Sequence, residues 1–402
     1  MDPSSELIEL TQSLVRISST NPTLSLNAGA GEVAVARFVS DWLRDRGFEI
    51  LQVEATEADR LSVLAVRWGK GGDGARSILF NGHLDTVSLS NYQGDGLSGD
   101  LKQGRIYGRG SADMKGGLAA AMVAVSRACS SGEVGGQDLR GDVWIAAVSD
   151  EEDSSQGSMD VIRYLLSHPA SGGAEIKGAI FPEPTQEAIV STHRGFVWAK
   201  VKVEGKSAHG SMHSLGIDSI AEMGSFLHGF RDLCKGLLSD ERSNPVLGNA
   251  SAHAGTIQGG EEPSTYPGSC QVTLERRTLP GEGRETFQDE LEGIVARLDT
   301  RCQWEVEMGT TRPPLEVKDL GFLRVVQEVS KLHLGEGVLG GQAVFGGSFW
   351  TDAALFSSEM GIPSVVLGPS GFGIHEEVEW VDVESMNRIS MVYEDLIRNF
   401  SS

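Results

Sequence analysis

Val143-Trp144-Ile145-Ala146-Ala147-Val148 runs directly into Ser149-Asp150-Glu151-Glu152-Asp153. A short apolar run bounded by polar residues reads as a strand buried on both faces. Similar runs occur at Ser77-Ile78-Leu79-Phe80, Gly178-Ala179-Ile180-Phe181 and Ile362-Pro363-Ser364-Val365-Val366-Leu367. Apolar residues at helical spacing mark Glu6 to Ile17 and Glu32 to Arg46, and helices separate several of the strands. Strands alternating with helices imply an α/β core with a largely parallel sheet.

The middle of the chain reads differently. Ala199-Lys200-Val201-Lys202-Val203 alternates apolar and polar residues, and Cys270 to Glu275 alternates again, which suits strands with one wet face. Helical stretches cover Ile217 to Leu238 and Glu285 to Leu298. At 402 residues the chain exceeds what one hydrophobic core supports. The division this suggests is an α/β domain over 1–193 and 312–402, with a smaller α+β domain inserted at 194–311. Gly71-Gly72-Asp73-Gly74 and Gly132 to Gly136 read as surface loops.

A hydrophobic content of 40% is that of a globular protein. No apolar run approaches the length of a spanning helix. Met1-Asp2-Pro3-Ser4-Ser5-Glu6 is acidic and lacks the pattern of a secretory signal. Cys129, Cys234, Cys270 and Cys302 are widely spaced, which predicts reduced thiols in a cytoplasmic protein rather than disulfides or a structural zinc site. A net charge of −22 disfavours nucleic acid and anionic membranes as partners.

Acids and histidines fall where the strands end. His83-Leu84-Asp85 follows Ile78 to Phe80, and residues two apart on an extended segment share a side. A histidine beside a carboxylate suits a metal ligand whose other ring nitrogen is oriented by an acid. In Tyr107-Gly108-Arg109-Gly110-Ser111-Ala112-Asp113-Met114-Lys115-Gly116-Gly117 the glycines permit close backbone approach. Asp113 stands where a helix of small residues, Leu118 to Cys129, begins; alone it reads as a cap. Asp150 to Asp153 form either a solvated acidic loop or a cation site, and the carboxyl end of a strand is where α/β ligand sites are built. Pro182-Glu183-Pro184-Thr185 sets another carboxylate at a strand end. Gly368-Pro369-Ser370-Gly371-Phe372-Gly373-Ile374-His375 opens the last strand into a glycine loop carrying a histidine. Five segments, each offering a His, Asp or Glu, together suggest a histidine–carboxylate site for two metals.

The motifs Gly82-His83-Leu84-Asp85, Gly108-Arg109-Gly110 to Gly117, Asp150-Glu151-Glu152 and Glu183-Pro184-Thr185, in this order, resemble a co-catalytic zinc family. Its members include acetylornithine deacetylase, succinyl-diaminopimelate desuccinylase, aminoacylase and glutamate carboxypeptidase, and the resemblance spans almost the whole chain. It implies two zinc ions per chain, with cobalt or manganese as substitutes, and an inserted domain serving as lid and dimerisation domain. It further implies that Asp113 bridges the ions, that His83 and Glu183 complete one ligand set, and that Glu152 and His375 complete the other. Glu151 would be the general base and Asp85 would orient His83. Two such ions acidify a bound water and polarise the scissile carbonyl. Glu at 183 is similar to the deacylase and carboxypeptidase branches, whereas the related dipeptidases tend to carry Asp there.

Gly205-Lys206-Ser207-Ala208-His209-Gly210 is similar to the family's lid segment. There His209 would stabilise an oxyanion, in its own subunit or a partner's, which implies a homodimer. Arg276-Arg277-Thr278-Leu279-Pro280-Gly281 resembles the arginine segment, with Arg277 placed to grip a substrate carboxylate. The departures fall where substrate is selected. His253 replaces a common Asn ahead of Gly255-Thr256-Ile257-Gln258-Gly259-Gly260, Met212-His213 stands where a proline is usual, and Ser370 follows Gly368-Pro369 in place of glycine. His253 and Gly371 are accordingly candidate substrate contacts. Ser348, Thr351 and Asp352 either line a carboxylate pocket or form a simple turn.

The implied activity is hydrolysis of an amide beside a free carboxylate in a small-molecule substrate. Deacylation of an N-acyl amino acid comes first, a carboxypeptidase or dipeptidase second, and a catalytically silent metabolite-binding relative third. Gly335-Glu336-Gly337-Val338-Leu339-Gly340 fits a dinucleotide fingerprint, but that motif needs a strand before it, and Phe322 to Leu332 reads as a helix. His168, His193, His228 and His333 read as solvated or core residues.

Overall fold

The computed structural model describes residues 3–25, 31–57, 60–129, 139–168, 175–240, 243–298, 301–338 and 345–401. The expected loop at Gly132 to Gly136 lies outside them. The chain forms two compact units. One is Met1–Ser191 with Val317–Phe345 and Thr351–Ser402; the other is Thr192–Glu316 with Gly346–Trp350. The short Gly346–Trp350 return has no signature in the sequence.

In the first unit the apolar runs become the strands Ser77–His83, Val143–Val148, Ile176–Phe181 and Ser364–Val366. Every residue of the first two is buried, as strands covered on both faces require. Val143–Val148, Ser77–His83, Ile176–Phe181 and Ser364–Val366 lie side by side in that order, and all three pairings are parallel. The flanks are antiparallel: Val63–Arg67 joins Val143–Val148, Glu49–Leu51 joins Val63–Arg67, and Val190 pairs with Val366. The sheet is therefore mixed, with a parallel centre.

Strand alternation feeds two layers. Ile78, Phe80, Val143, Ile145 and Ala147 pack in one core with the helices Pro3–Arg16, Val33–Arg44, Gly116–Cys129 and Val383–Phe400. The helices Gln156–Ser167 and Ala353–Met360 cover the opposite face, where Phe181 meets Phe356 with ring centroids 5.5 Å apart. Burial of nearly every residue of Gly116–Cys129 follows from its Gly and Ala content, because small side chains let a helix lie between neighbours on all sides. A small antiparallel sheet, in the order Gly371–Phe372, Trp380–Asp382, Arg105–Tyr107, Asp100–Lys102, stitches the last loop to the segment before Asp113.

The second unit is an antiparallel sheet in the order Ser251–Gly259, Ser269–Thr278, Gly195–Glu204, Gln303–Arg312. Val197, Ala199, Val201, Val272 and Leu274 turn inward against Met223, Phe226 and Phe230 of the helix Ser219–Leu238 and Phe287 and Leu291 of the helix Arg284–Val295. Asp218 caps the first of these helices, accepting from the amides of Ile220 and Ala221 at 3.0 Å each. Two of the four strands are absent from the sequence reading. Ser251–Gly259 is an exposed edge, so no buried face imposes alternation on it. Gln303–Arg312 does alternate, through Trp304, Val306 and Met308.

The helix Leu320–Val338 runs through Gly335 to Val338, so no strand precedes the glycine fingerprint. Leu339 and Gly340 of that stretch lie outside the described residues. Among the described residues no helix is long and apolar enough to cross a membrane.

Candidate metal centre

Because the four central strands are parallel, their carboxyl ends share one edge of the sheet, and the loops leaving them converge there. His83 closes its strand, and Glu183 stands two residues beyond Phe181. The Asp150 turn follows Val148, and the His375 loop follows Val366. Asp113 reaches the same edge from a wide turn, Ser111–Lys115, ahead of the long buried helix. Its backbone is extended, with φ of −115° and ψ of 92°, and its carboxylate oxygens face His83 and His375 rather than helix amides, so it is no cap. Glycine makes this convergence possible at Gly117, where a Cβ would come within 1.8 Å of the Pro182 carbonyl oxygen.

His83 Nε2 lies 3.1 Å from Asp113 Oδ1 and 3.9 Å from Glu183 Oε2. On the other side His375 Nε2 lies 3.4 Å from Asp113 Oδ2 and 3.1 Å from Glu152 Oε2. Asp113 thus presents one oxygen to each histidine. Ligand atoms of His83, Asp113 and Glu152 all fall within 4.8 Å of one another. Only His375 opens outward, with its side chain 50% exposed against 15% or less for the other four. Solvent reaches the centre on the His375 side.

The electrostatics describe a site lacking positive charge. Burial, followed by the neighbouring Asp352, Glu183 and Glu152 carboxylates, raises Glu151 well above the usual range, although His83 opposes this. Burial and then Asp113 and Glu152 do the same for Glu183, against His83. Glu152 is raised by burial and by Asp113, against the pull of His375. Hydrogen bonds to Asp113 and Glu152 push His375 up to about 10. Burial opposes charge on His83, but Asp113, Glu183 and Glu151 outweigh it and raise that pKa too. Burial would also raise Asp113, yet hydrogen bonds from His375 and His83 hold it below the usual carboxylate range. Divalent cations would compensate the same crowded carboxylates. Two imidazoles and three carboxylates, those of His83, His375, Asp113, Glu152 and Glu183, are a donor set suited to such ions, so the residues present fit a pair of metals. His83 is further committed: its Nδ1 donates to the Asp85 carbonyl at 2.9 Å, leaving Nε2 as the lone-pair nitrogen.

That bond comes from the backbone of Asp85, not its carboxylate, which stands 3.6 Å from Nδ1. The Asp85 carboxylate instead accepts from the amides of Glu151 and Glu152 at 3.1 Å each and from Asn21 Nδ2 at 2.8 Å. It braces the turn that carries two of the site's acids. Of the four consecutive acids, Asp150 points inward to Arg60 at 2.7 Å and Asp153 is exposed. Glu151 and Glu152 face the centre. Asn21 Nδ2 also donates to Asp150 at 3.0 Å, and Arg60 pairs with Glu32 at 2.9 Å. Asn21, Glu32, Arg60 and Glu379 were missed in the sequence. The buried partners named here lie 28 to 270 residues away, so no local spacing reveals them.

The remaining candidates are distributed as follows. Gly371 begins the short strand beside Trp380–Asp382. Thr351 and Asp352 are buried rather than lining an open pocket, and Ser158 Oγ donates to Asp352 at 2.5 Å. Ser348 is exposed in the second unit. His209 is exposed there too, its Nδ1 2.8 Å from Ser211 Oγ. His253 lies on the edge strand opposite Glu275. Arg277 Nε donates to Glu275 at 2.6 Å, and its guanidinium sits 5.3 Å from the Phe196 ring. Neighbouring Arg276 is buried and gripped by Glu282 and Glu290 at 2.7 Å, which leaves Arg277 as the arginine of this pair able to meet a ligand.

Comparison with known proteins places the chain in a family. Acetylornithine deacetylase of Myxococcus xanthus is 27% identical over 347 residues, covering 85% of this chain and 84% of that protein. The structure of aminopeptidase PepT from Bacillus cereus superposes with a TM-score of 0.76 at 18% identity, over 99% of each chain. A dinuclear metal binding peptidase of the M20 family from Bacillus subtilis superposes with a TM-score of 0.69 at 16% identity, over 99% of this chain and 98% of that one. The model of peptidase family M20/M25/M40 matches residues 79–399, which hold every residue of the centre, and the chain belongs to that family.

Proposed function

We propose that this metal-dependent hydrolase, a deacylase or peptidase by family membership, removes the acyl group from an N-acyl amino acid. The observation that carries the reading is the cluster around Asp113, with one histidine on each carboxylate oxygen and a carboxylate beside each histidine. His83, Asp113 and Glu183 would hold one divalent cation and Asp113, Glu152 and His375 a second, with zinc the ion this donor set favours. When bound, the ions supply an acidified water and a polarised scissile carbonyl.

The chain's own residues do the rest. Glu151 neighbours a ligand without being one, and it takes the proton of the attacking water and returns it to the leaving amine. Asp85 holds Glu151 and Glu152 by their amides, and its carbonyl keeps His83 in the tautomer that binds through Nε2. His209 stabilises the oxyanion and Arg277 receives the substrate carboxylate, with His253 and Gly371 contacting the substrate. A homodimer is consistent with the exposed edge strand Ser251–Gly259, whose backbone is open to pairing among the described residues. Four free cysteines suit a cytoplasmic protein.

Elemental analysis with an assay on N-acetyl amino acids and on dipeptides tests this, with Glu151→Ala as control. About two zinc ions per chain, turnover of an acyl amino acid and its loss in the control are expected. Turnover of dipeptides alone would move the assignment to the peptidase branch, and cation binding without turnover of any amide to a silent relative. Absence of bound metal under zinc-replete conditions would overturn it.

A further inference from the structure

Two loops meet at the candidate centre without sharing a strand end. One carries Asp113; the other carries His375. Strand pairing draws them together through Tyr107 and Trp380, and ends where the Gly108 amide donates to the Glu379 carbonyl at 3.1 Å. Beyond that point the Glu379 side chain continues the connection. Its Oε1 accepts from the amides of Ala112 at 2.9 Å and Asp113 at 3.0 Å. Its Oε2 accepts from the Gly110 amide at 3.0 Å and from Arg109 Nη1 at 2.8 Å. The carboxylate is fully buried, and Arg109 is 2% exposed.

Arg109 carries the connection into the His375 loop. Its Nη2 donates to the Glu376 carbonyl at 2.8 Å and to Asn91 Oδ1 at 3.0 Å, and Asn91 Nδ2 donates to the His375 carbonyl at 3.0 Å. The His375 loop is held as well at Glu377, which accepts from the Gln93 amide at 2.7 Å and from the Gln93 side chain, and within itself where the Glu376 amide donates to the Gly373 carbonyl at 2.9 Å. His375 has a φ of 61°, and Gly373 is pressed so close to Val378 that a Cβ would meet its carbonyl oxygen at 1.7 Å. A loop folded back this tightly keeps one shape only if its backbone is anchored from outside.

We propose that Glu379, with Arg109 and Asn91, is the positioning device that sets the separation of Asp113 from His375, and thereby the affinity of the cation those two share with Glu152. Glu379 touches no reacting atom; it acts through the Asp113 amide and through Arg109. The proposal rests on the two-cation reading above and adds which of the two ions depends on this clamp. His83 and Glu183 lie on strand ends that the clamp does not touch, so the ion they share with Asp113 keeps two of its three ligands in place and is the less affected.

Cation-free protein titrated with Co²⁺, followed by visible absorption, and with Zn²⁺ against a chromophoric chelator provides the test. His375→Ala identifies the binding step that belongs to His375. In Glu379→Gln the amide replaces one acceptor oxygen with a donor facing other donors, and that same step is expected to weaken about 10–100-fold. The other step weakens less, and the melting temperature of the cation-free protein stays as in the parent. Two unchanged steps would overturn the proposal, as would both steps weakening together with a lowered melting temperature, which marks a general loss of structure. If Glu379→Gln does not fold, Arg109→Lys decides by the same criteria, because a lysine can meet Glu379 but gives up Asn91 and the Glu376 carbonyl. A parent protein that binds no cation removes the two-cation reading, and this proposal with it. A parent that binds two ions beside an unaltered variant removes the proposal alone.

Discussion

Glu32 has no exposed surface, and one of its oxygens, Oε2, has no hydrogen-bond partner among the described residues. Oε1 accepts from Arg60 at 2.9 Å and from the Asp150 amide at 3.2 Å. Burial first, and then the nearby Asp85 charge, raise its pKa from 4.5 to about 7, despite Arg60. A carboxyl that binds its proton more tightly in the folded state stabilises the fold fully below pH 4.5. It loses that contribution as the pH rises through about 7. At about 1.4 kcal/mol per tenfold change in proton affinity, the loss amounts to about 3 kcal/mol. Glu32→Gln keeps the Oε1 acceptor and places an amide where the orphaned oxygen stands, so this titration disappears. Melting curves of metal-saturated parent and variant from pH 5 to pH 8 isolate it, because every other titrating group is common to both. The parent's melting temperature is expected to fall relative to the variant's by about 6 °C across that interval, at about 2 °C per kcal/mol for a unit of this size. Parallel curves would refute the argument and mean that Glu32 is ionised at little cost.

Other expectations follow from the same geometry. Asp85→Asn replaces one acceptor of the amides of Glu151 and Glu152 with a donor. It should lower kcat about 10–100-fold with a smaller change in KM, measured on whichever substrate the activity assay identifies. Cation binding near pH 7 should release protons, since His375, raised to about 10, surrenders its own to act as a ligand; calorimetry in buffers of different ionisation enthalpy reads this directly, and zero release would contradict the charge description. Gly117→Ala puts a methyl 1.8 Å from the Pro182 carbonyl and should cost about 1–3 kcal/mol while weakening cation binding through Glu183. Gly293→Ala, on an exposed helix position where a Cβ meets nothing within 4 Å, should instead raise stability by about 0.5–1 kcal/mol in a melting experiment.

What could be read from the sequence was what the backbone repeats locally. The strands Val143–Val148 and Ser77–His83 are continuous apolar runs, and a polar residue directly after such a run marks the sheet edge where it must lie. That placed His83, Glu151, Glu152, Glu183 and His375 in one neighbourhood, but the residues that hold them there leave no such trace. Arg60 reads as an ordinary surface arginine until Glu32, Asp150 and Asn21 close around it. Glu379 sits within His375-Glu376-Glu377-Val378-Glu379, a run whose other two acids are exposed, and it differs from them only in pointing at backbone amides. Arg109 offered a usable hint, since an arginine flanked by glycines in a loop beside a buried helix needs a buried counter-charge. The strand Gln303–Arg312 could also have been found, because its alternation was present in the sequence.

The chain's net charge of −22 says little about why cations should bind, because most of that charge is solvated. The burial of its acids says more. Around the strand ends Asp85, Asp113, Asp150, Glu152, Glu183, Asp352 and Glu379 are withdrawn from water, and the cations buried near them are Arg60, Arg109 and Lys115. Arg60 and Arg109 are already spent on the outer acids, Glu32 with Asp150 and Glu379 respectively. Lys115 donates to the Ile17 carbonyl, and burial lowers its pKa to about 7. The excess negative charge is thus left on the inner carboxylates, Asp113, Glu151, Glu152 and Glu183. Burial pushes the Glu151 carboxyl upward, against the pull of His83, so crowding these charges together works against the base as well. A pair of divalent cations would compensate the same excess and favour the basic form of Glu151, so the burial that crowds these carboxylates is also what would make the centre reactive.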